Sequence, residues 1–466
     1  MKSYVTDFGV FPSETILQTK RMQAAIDDCF LKGGGVVSVP AGTYLIGGIR
    51  LRSNVTLYLE SGATLLGSRN PEDYFEYLDD KIEPLMDADI TKWPKCGTKE
   101  ARTKYVEQGI VEDYYADYYQ KTGRRWNNAL IRAIRAENIA IVGEPGSVID
   151  GDDCYDAMGE EGFRGPHGIT MHDCENVLFR GYTMKNSSNW GHNIVRSKNV
   201  HCEDLAIYGG HDGVHFTECQ NVTVLNSEFY TGDDCIAGFA NINMLVSNCK
   251  VNSSCNGFRI GGTNVMIQDC HIWGPGKYGH RYSLTEEEKI AGKRTNETAG
   301  SGPRRNMVSA VTYYADNSFP IKERPGNIII KDCVIEHTDR FLHYNYSGSE
   351  KWQLNRPLGD ITFQDIRAKD IKIPINIYGD KDDTVTATFR NIDISESDSF
   401  TAEALIHACN YKRITLDNVT LQNVPCSMLV KRWSVDGEIN LHNIQSELEE
   451  DAYIGDAKEA FFSARV

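Results

Sequence analysis

No run of about 18 apolar residues occurs anywhere in this 466-residue chain, so it carries no stretch that reads as a membrane-spanning helix. The N-terminus, Met1-Lys2-Ser3-Tyr4-Val5-Thr6-Asp7-Phe8-Gly9, has no apolar h-region, and no secretory signal is legible in it. A cytoplasmic location is the expectation, with secretion as the alternative if a signal was removed beforehand. Paired cysteines are also missing. The 13 cysteines form an odd set with no Cys-x-x-Cys, which argues against a disulfide framework, zinc ribbons and thioredoxin-type chemistry and fits a reducing compartment. Positive charge is in short supply, with 49 Lys and Arg against 65 Asp and Glu and a net charge of −16. Nucleic acid needs concentrated Lys and Arg and is disfavoured as a partner. The same charge gives no help in drawing in a polyanionic polymer; a neutral or short substrate, or a local basic pocket, fits it better.

What the chain does have is a repeat. Asn176-Val177-Leu178-Phe179, Asn199-Val200-His201-Cys202, Asn221-Val222-Thr223-Val224, Asn243-Met244-Leu245-Val246 and Asn264-Val265-Met266-Ile267 follow one another at spacings of 23, 22, 22 and 21. Asn327-Ile328-Ile329-Ile330 continues the series, and weaker rungs start at Asn54, Asn138, Asp360, Arg413 and Glu438. Each asparagine opens a short alternating strand. A period near 22 without 3.6-residue periodicity predicts a parallel β-helix and not a helical solenoid.

Cys249, Cys270 and Cys333 each sit six residues after their asparagine, where they would stack inside the coil as small apolar plugs. One all-β domain is expected over residues 1–466, with its solenoid running from about 35 to about 450 and an N-terminal cap over about 1–34. Within the cap, residues 18–31 read as an amphipathic helix with Met22, Ala25, Ile26 and Phe30 on one face, closing a coil that would otherwise expose strand edges. Residues 78–126 and 275–307 break the repeat and read as loops that carry specificity.

The repeat also serves as a ruler. Thirteen residues after successive asparagines stand Asp212, Asp234, Asn256 and Lys277, and Trp190 takes the equivalent place one coil earlier. With rungs about 4.8 Å apart, this predicts a surface column with Asp233 beside it. Adjacent strand residues point to opposite faces, so the chain must bend at Gly232 for Asp233 and Asp234 to share a cleft. Three crowded carboxylates cannot all ionise cheaply, so one is expected to hold a proton and donate it while another activates water. The plain alternative is a solvated acidic face, since Gly232-Asp233 is good turn chemistry. Trp190 would stack on a sugar ring, and Lys277 would hold an anionic group. Three residues further along each rung the ruler sets His215, Ala237, Arg259 and His280 in a second column. Arg259 is either an anion or hydroxyl ligand or a structural partner of the aspartates. His211 and His215 are four apart on a turn, a spacing that serves metal binding only on a helix, and no metal is expected. His192 reads as a structural hydrogen-bonder, and Tyr313, Tyr314 and Asp316 as ordinary rung packing, with the far end of the cleft as the alternative.

The segments Thr6-Asp7-Phe8-Gly9, Gly33-Gly34-Gly35-Val36-Val37-Ser38-Val39-Pro40-Ala41-Gly42-Thr43-Tyr44, Leu51-Arg52-Ser53-Asn54-Val55-Thr56-Leu57 and Gly62-Ala63-Thr64-Leu65-Leu66-Gly67-Ser68 resemble the opening of polygalacturonase-like glycoside hydrolases, family 28. The more specific match is Gly232-Asp233-Asp234-Cys235-Ile236-Ala237, and the resemblance covers roughly residues 5–275. It implies a right-handed β-helix and hydrolysis with inversion, without a cofactor. Asp233 would be the general acid, with Asp212 and Asp234 activating water. The chain departs from the family at three places. The Asn-Thr-Asp-Gly signature reads Gly210-His211-Asp212-Gly213. The family histidine is absent around Asn256, and the Arg-Ile-Lys signature has only Phe319-Pro320-Ile321-Lys322 near it. His211, Asn256, Arg259 and Lys277 are therefore expected to bind the sugar, and the substrate to be a pectic or related oligosaccharide cut from one end. A lyase or epimerase on the same scaffold, a non-catalytic carbohydrate-binding β-helix and a transglycosylase are the rival readings.

Overall fold

The structure is a computed structural model, and it describes residues 2–74, 128–281, 287, 290, 291, 304–315, 323–347, 356–459 and 461. The expected loop at 78–126 and the stretch Phe319-Pro320-Ile321-Lys322 lie outside the described residues, as do Asp316 and most of the loop expected at 275–307. The chain divides into two compact units, residues 1–211 with 282–298 and residues 212–281 with 299–466.

The first unit opens with a short strand, Lys2–Tyr4, paired in parallel with Gly35–Val39. Between them lies the helix Thr19–Leu31, which buries Met22, Ala25, Ile26 and Cys29. These positions recur at three and four residues and form one apolar stripe. Cys29 occupies the place expected for Phe30, which is only half-buried and lies under the Arg52 guanidinium, 5.9 Å from ring centroid to Cζ. The helix shields the coil by lending it hydrogen bonds. Gln23 accepts from the Arg50 amide through Oε1 (2.7 Å) and donates to the Arg50 carbonyl through Nε2 (3.0 Å), so backbone groups of an otherwise open strand are satisfied.

Among the described residues, the long-range strand pairings in both units are parallel. In the first unit the register stacks Val37, Leu57, Ile141, Phe179 and Cys202 in one inward column, each fully buried. The second unit does the same with Val224, Val246, Ile267, Ile330, Phe363, Phe389 and Leu416. The Phe363 and Phe389 rings stack there at 5.5 Å with an interplanar angle of 3°. Full burial of each such side chain contributes about 1.5–3 kcal/mol, so the alternating pattern supplies both register and cohesion.

The repeating asparagines mark the turns. Asn54, Asn138, Asn176, Asn199, Asn221, Asn243, Asn264 and Asn327 all have φ between 50° and 61°, the left-handed region that Asn tolerates better than other side chains. Their amides form ladders. Asn138 donates to Asn54, Asn176 to Asn138 and Asn199 to Asn176, each at 2.9 Å. In the second unit Asn243 donates to Asn221 and Asn264 to Asn243, both at 3.1 Å, and Asn327 to Asn264 at 2.9 Å. A second left-handed residue follows five positions later, at Asn226, Asn248, Asp269 and Asp332. These single-residue bends leave the ladder unbroken, so strands such as Gly326–Asn345 are far longer than the short rungs the repeat suggests. Cys249, Cys270 and Cys333 are buried neighbours with their thiols in contact. Every described cysteine is a free thiol.

Candidate active site

The three aspartates lie in the second unit, where local geometry brings them together. The strand Val214–Thr217 pairs with Ile236–Ser247, setting Val214 against Ile236, and Ile236 in turn faces Phe258. Two residues upstream on each strand, the same register aligns Asp212, Asp234 and Asn256. Gly213 permits the close approach of the rungs, since a Cβ there would lie 2.4 Å from the Cys235 carbonyl oxygen. Asp233 enters the same cluster because the chain bends after Thr231. The Thr231 and Ser253 hydroxyls both donate to the Asp233 carbonyl, at 2.7 and 2.6 Å, and pin the bend. As a result, carboxylate oxygens of Asp212, Asp233 and Asp234 come within 4.8 Å of one another, at relative exposures of 5%, 2% and 1%. That burial does not fit a solvated acidic face.

Each acid has a defined partner. Asp212 Oδ1 accepts the Asp234 amide at 3.3 Å. Asn256 donates to Asp234 Oδ1 at 2.7 Å and is itself held by the Thr312 hydroxyl, which donates to its Oδ1 at 3.1 Å. Arg259 Nη1 lies 3.3 Å from Asp234 Oδ2, while its guanidinium stacks 4.1 Å above the Tyr314 ring. Of the two readings of Arg259, the structure forms the ion pair with the aspartate. Arg281 Nε donates to Asp233 Oδ2 at 2.5 Å. His280 Nδ1 faces the Gly232 carbonyl at 3.1 Å and lies 3.9 Å from Asp233 Oδ1, and Arg304 donates to His280 Nε2 at 3.2 Å.

Burial raises the Asp234 carboxyl above the ordinary carboxylate value; the Asp233 charge adds to the rise, and Arg259 opposes it. Burial alone would lower the Arg259 guanidinium, but Asp234, Tyr314 and the other two aspartates hold it up. Burial pushes His280 below the usual histidine value against the pull of Asp233, with Arg304 and Arg281 adding to the shift. The His280 ring is thus neutral near pH 7, with its proton on Nδ1 facing the Gly232 carbonyl. Cys255 is kept a thiol by burial and by the neighbouring carboxylates, which argues against a nucleophilic role. Among the described residues, two groups are close enough to share an ion, Asp212 with Asp233 and Asp234, and Asp233 with Cys255 and His280. In both, guanidiniums already supply the positive charge that a metal would bring.

The ruler holds from Asp212 to Asn256 and fails beyond it. Asn256 pairs with Ser309, not Lys277, and Arg259 pairs with Thr312, not His280. The chain leaves the coil after the strand His271–Trp273 and rejoins it at Met307–Tyr313, so counted positions no longer match rungs. Lys277 instead donates its backbone amide to Asn252 at 2.7 Å and sets its ammonium 5.5 Å from the Tyr230 ring centroid. Trp190 and His211 belong to the first unit. There Trp190 packs on His167 at 5.4 Å between ring centroids, and His211 on Phe163 at 6.1 Å. His192 is the structural hydrogen-bonder expected, 2.6 Å from the Tyr182 hydroxyl. Tyr314, expected to be plain packing, lies under Arg259. Arg281 and Arg304 escaped sequence reading because they lie in the segment that breaks the repeat, where no period marks them.

Parallel β coils bearing three buried acids on adjacent rungs define a class, β-helix proteins equipped for proton transfer at one face. Residues 115–261 match the sequence model of the family described as glycosyl hydrolases family 28. An exo-poly-alpha-D-galacturonosidase of Dickeya chrysanthemi is 29% identical over 253 residues, half of this chain and 41% of that relative, so the match spans less than half of that relative's length. Among solved structures, a family 28 exopolygalacturonase of Yersinia enterocolitica superposes with a TM-score of 0.60 at 17% identity, covering 99% of this chain and 79% of the other. The A-module of the Azotobacter vinelandii mannuronan C-5 epimerase AlgE6 superposes at 0.56 and 12% identity, covering 95% and 98%. These likenesses show the right-handed parallel β-helix fold. Over residues 115–261 the chain resembles glycoside hydrolase family 28, and over about half its length it is similar to the exo-poly-alpha-D-galacturonosidase.

Proposed function

We propose that the protein is a glycosidase that removes units from the end of a galacturonate-type, pectic oligosaccharide by general acid–base hydrolysis with inversion. The observation that carries the reading is the meeting of three buried carboxylates within 4.8 Å, one of them, Asp234, raised above its ordinary value. Asp233, which must take up a proton against the Arg281 guanidinium beside it, gives that proton to the leaving oxygen. Asp212 and Asp234 take a proton from the attacking water, and a carboxylate of raised pKa is the stronger base. Asn256 and Arg259 hold Asp234 in place, and Thr312 holds Asn256. The carboxylate oxygens are closer than the roughly 6.5–9.5 Å usual for inverting enzymes, so the family likeness, not the spacing, supports inversion. Arg281 and Arg304 gather positive charge around Asp233, which suits an anionic sugar despite the net charge of −16.

Incubation with pectic oligosaccharides, followed by NMR of the fresh product, tests this reading. Release of a terminal sugar with inverted anomeric configuration is expected, and Asp233→Asn should slow it about 10²–10⁴-fold. An unchanged rate in that variant sinks the assignment. The epimerase neighbour gives a second reading some support, because fold alone does not separate the two chemistries. Epimerised residues or an unsaturated, ultraviolet-absorbing product would favour epimerase or lyase chemistry.

A further inference from the structure

The two columns of the acid cluster continue along the second unit into a strip of polar side chains not needed for hydrolysis. Asn256 pairs with Ser309, and Ser309 with Arg340. In the neighbouring column Arg259 is followed by Thr312, His343, Asn376 and His407. Arg340 therefore stands three rungs from Asp234, about 14 Å at the usual rung spacing.

Arg340 stands out among the described arginines of this strip. Among the described residues its guanidinium forms no ion pair, and its Nε–H is buried without an acceptor. The adjacent acid, Asp339, is engaged elsewhere, with Asn306 donating to it at 2.5 Å and Lys372 lying 3.8 Å away. Further along the strip, Trp433 Nε1 and His407 Nε2 are likewise buried without a hydrogen-bond partner. Leaving donors and a cation unmet is costly, and a ligand that meets them recovers that cost. Between them, Asn376 donates to His343 Nδ1 at 3.0 Å and accepts from the Tyr378 hydroxyl at 3.2 Å. This rigid network presents the Tyr378 and Trp433 rings, which meet Phe461 at 5.0 and 5.9 Å. Burial lowers the Arg340 guanidinium, with Tyr378 and Asp339 only partly offsetting it.

We propose that this strip is a distal subsite for an anionic sugar, in which Arg340 takes the carboxylate of a uronate several units away from the bond placed at Asp233. A guanidinium matches a carboxylate in a planar, two-pronged fashion, and the tyrosine and tryptophan rings offer faces for the sugar. The proposal rests on the reading of the acid cluster as the cleavage site for uronate oligosaccharides. It makes affinity depend on chain length, because a disaccharide at Asp233 falls short of Arg340.

The test is calorimetric binding of digalacturonate and hexagalacturonate to the full chain carrying Asp233→Asn, with and without Arg340→Gln. Arg340→Gln should weaken hexagalacturonate about tenfold or more while changing digalacturonate less than about twofold, and Arg340→Lys should recover part of the loss. Equal loss for both lengths, or no loss for either, overturns the subsite and leaves the hydrolase reading standing. Length-dependent loss at Arg340, in a protein whose parent never hydrolyses the hexamer, supports the subsite and sinks the hydrolase reading. Failure of both oligomers to bind overturns both.

Discussion

Arg281 Nε stands 2.5 Å from Asp233 Oδ2, so the aspartate assigned as general acid is clasped by a guanidinium from 48 residues further along the chain. Asp233 is 2% exposed and the Arg281 side chain 39%. Arg281 itself adopts the left-handed backbone region, at φ 48°, a conformation that non-glycine residues hold only when their surroundings enforce it. The contact is thus a built feature, with the Arg281 side chain left partly exposed.

Removing this clasp should be felt in stability. A double-mutant cycle of Arg281→Gln and Asp233→Asn, read by denaturant unfolding, should return a coupling of about 1–2 kcal/mol, the value for a charge-assisted hydrogen bond discounted for the exposed arginine. Strict additivity of the two substitutions would show that the pair is not formed in solution.

Arg259 should set the acidic limb of activity. Asp234 must be ionised to accept a proton, and burial raises its carboxyl above 3.8. Activity should therefore fall as pH drops through a value above 3.8. Arg259→Gln removes the cation that opposes the rise, so the acidic limb of kcat/KM should move to higher pH. A limb that stays in place, or moves down, contradicts this coupling.

The buried histidine of the first unit should govern part of the acid stability. Burial lowers His192 from 6.5 to about 3. For a group depressed in the folded state, the stability is present above the unfolded value and is lost as pH falls towards the folded one. Between pH 6.5 and 3 the unfolded chain takes up a proton that the folded chain refuses, at up to about 1.4 kcal/mol per pH unit. His192→Gln should flatten the pH dependence of unfolding by that amount across this window. An unaltered slope would place the acid sensitivity at other groups, such as His172, which burial also lowers well below its usual value.

The β-helix and the core of its acid cluster were legible in the linear chain because a solenoid repeats its physics at every coil. Each left-handed turn asks again for asparagine and each inward position for an apolar side chain, so the period near 22 survives in the letters. Asp212, Asp234 and Asn256 then fall one period apart, and counting along the chain is equivalent to measuring along the stack. The count misplaced Lys277 because the chain leaves the coil after Trp273, and Ser309, from the returning strand, completes the rung. Nothing periodic marks Arg281, His280 or Arg304, so their convergence on Asp233 and its neighbours emerges only once the chain is folded. The same holds for charge. Sequence counts acids and bases, whereas burial and partners decide that Asp234 is raised, that His280 is neutral, and that Arg340 forms no ion pair among the described residues.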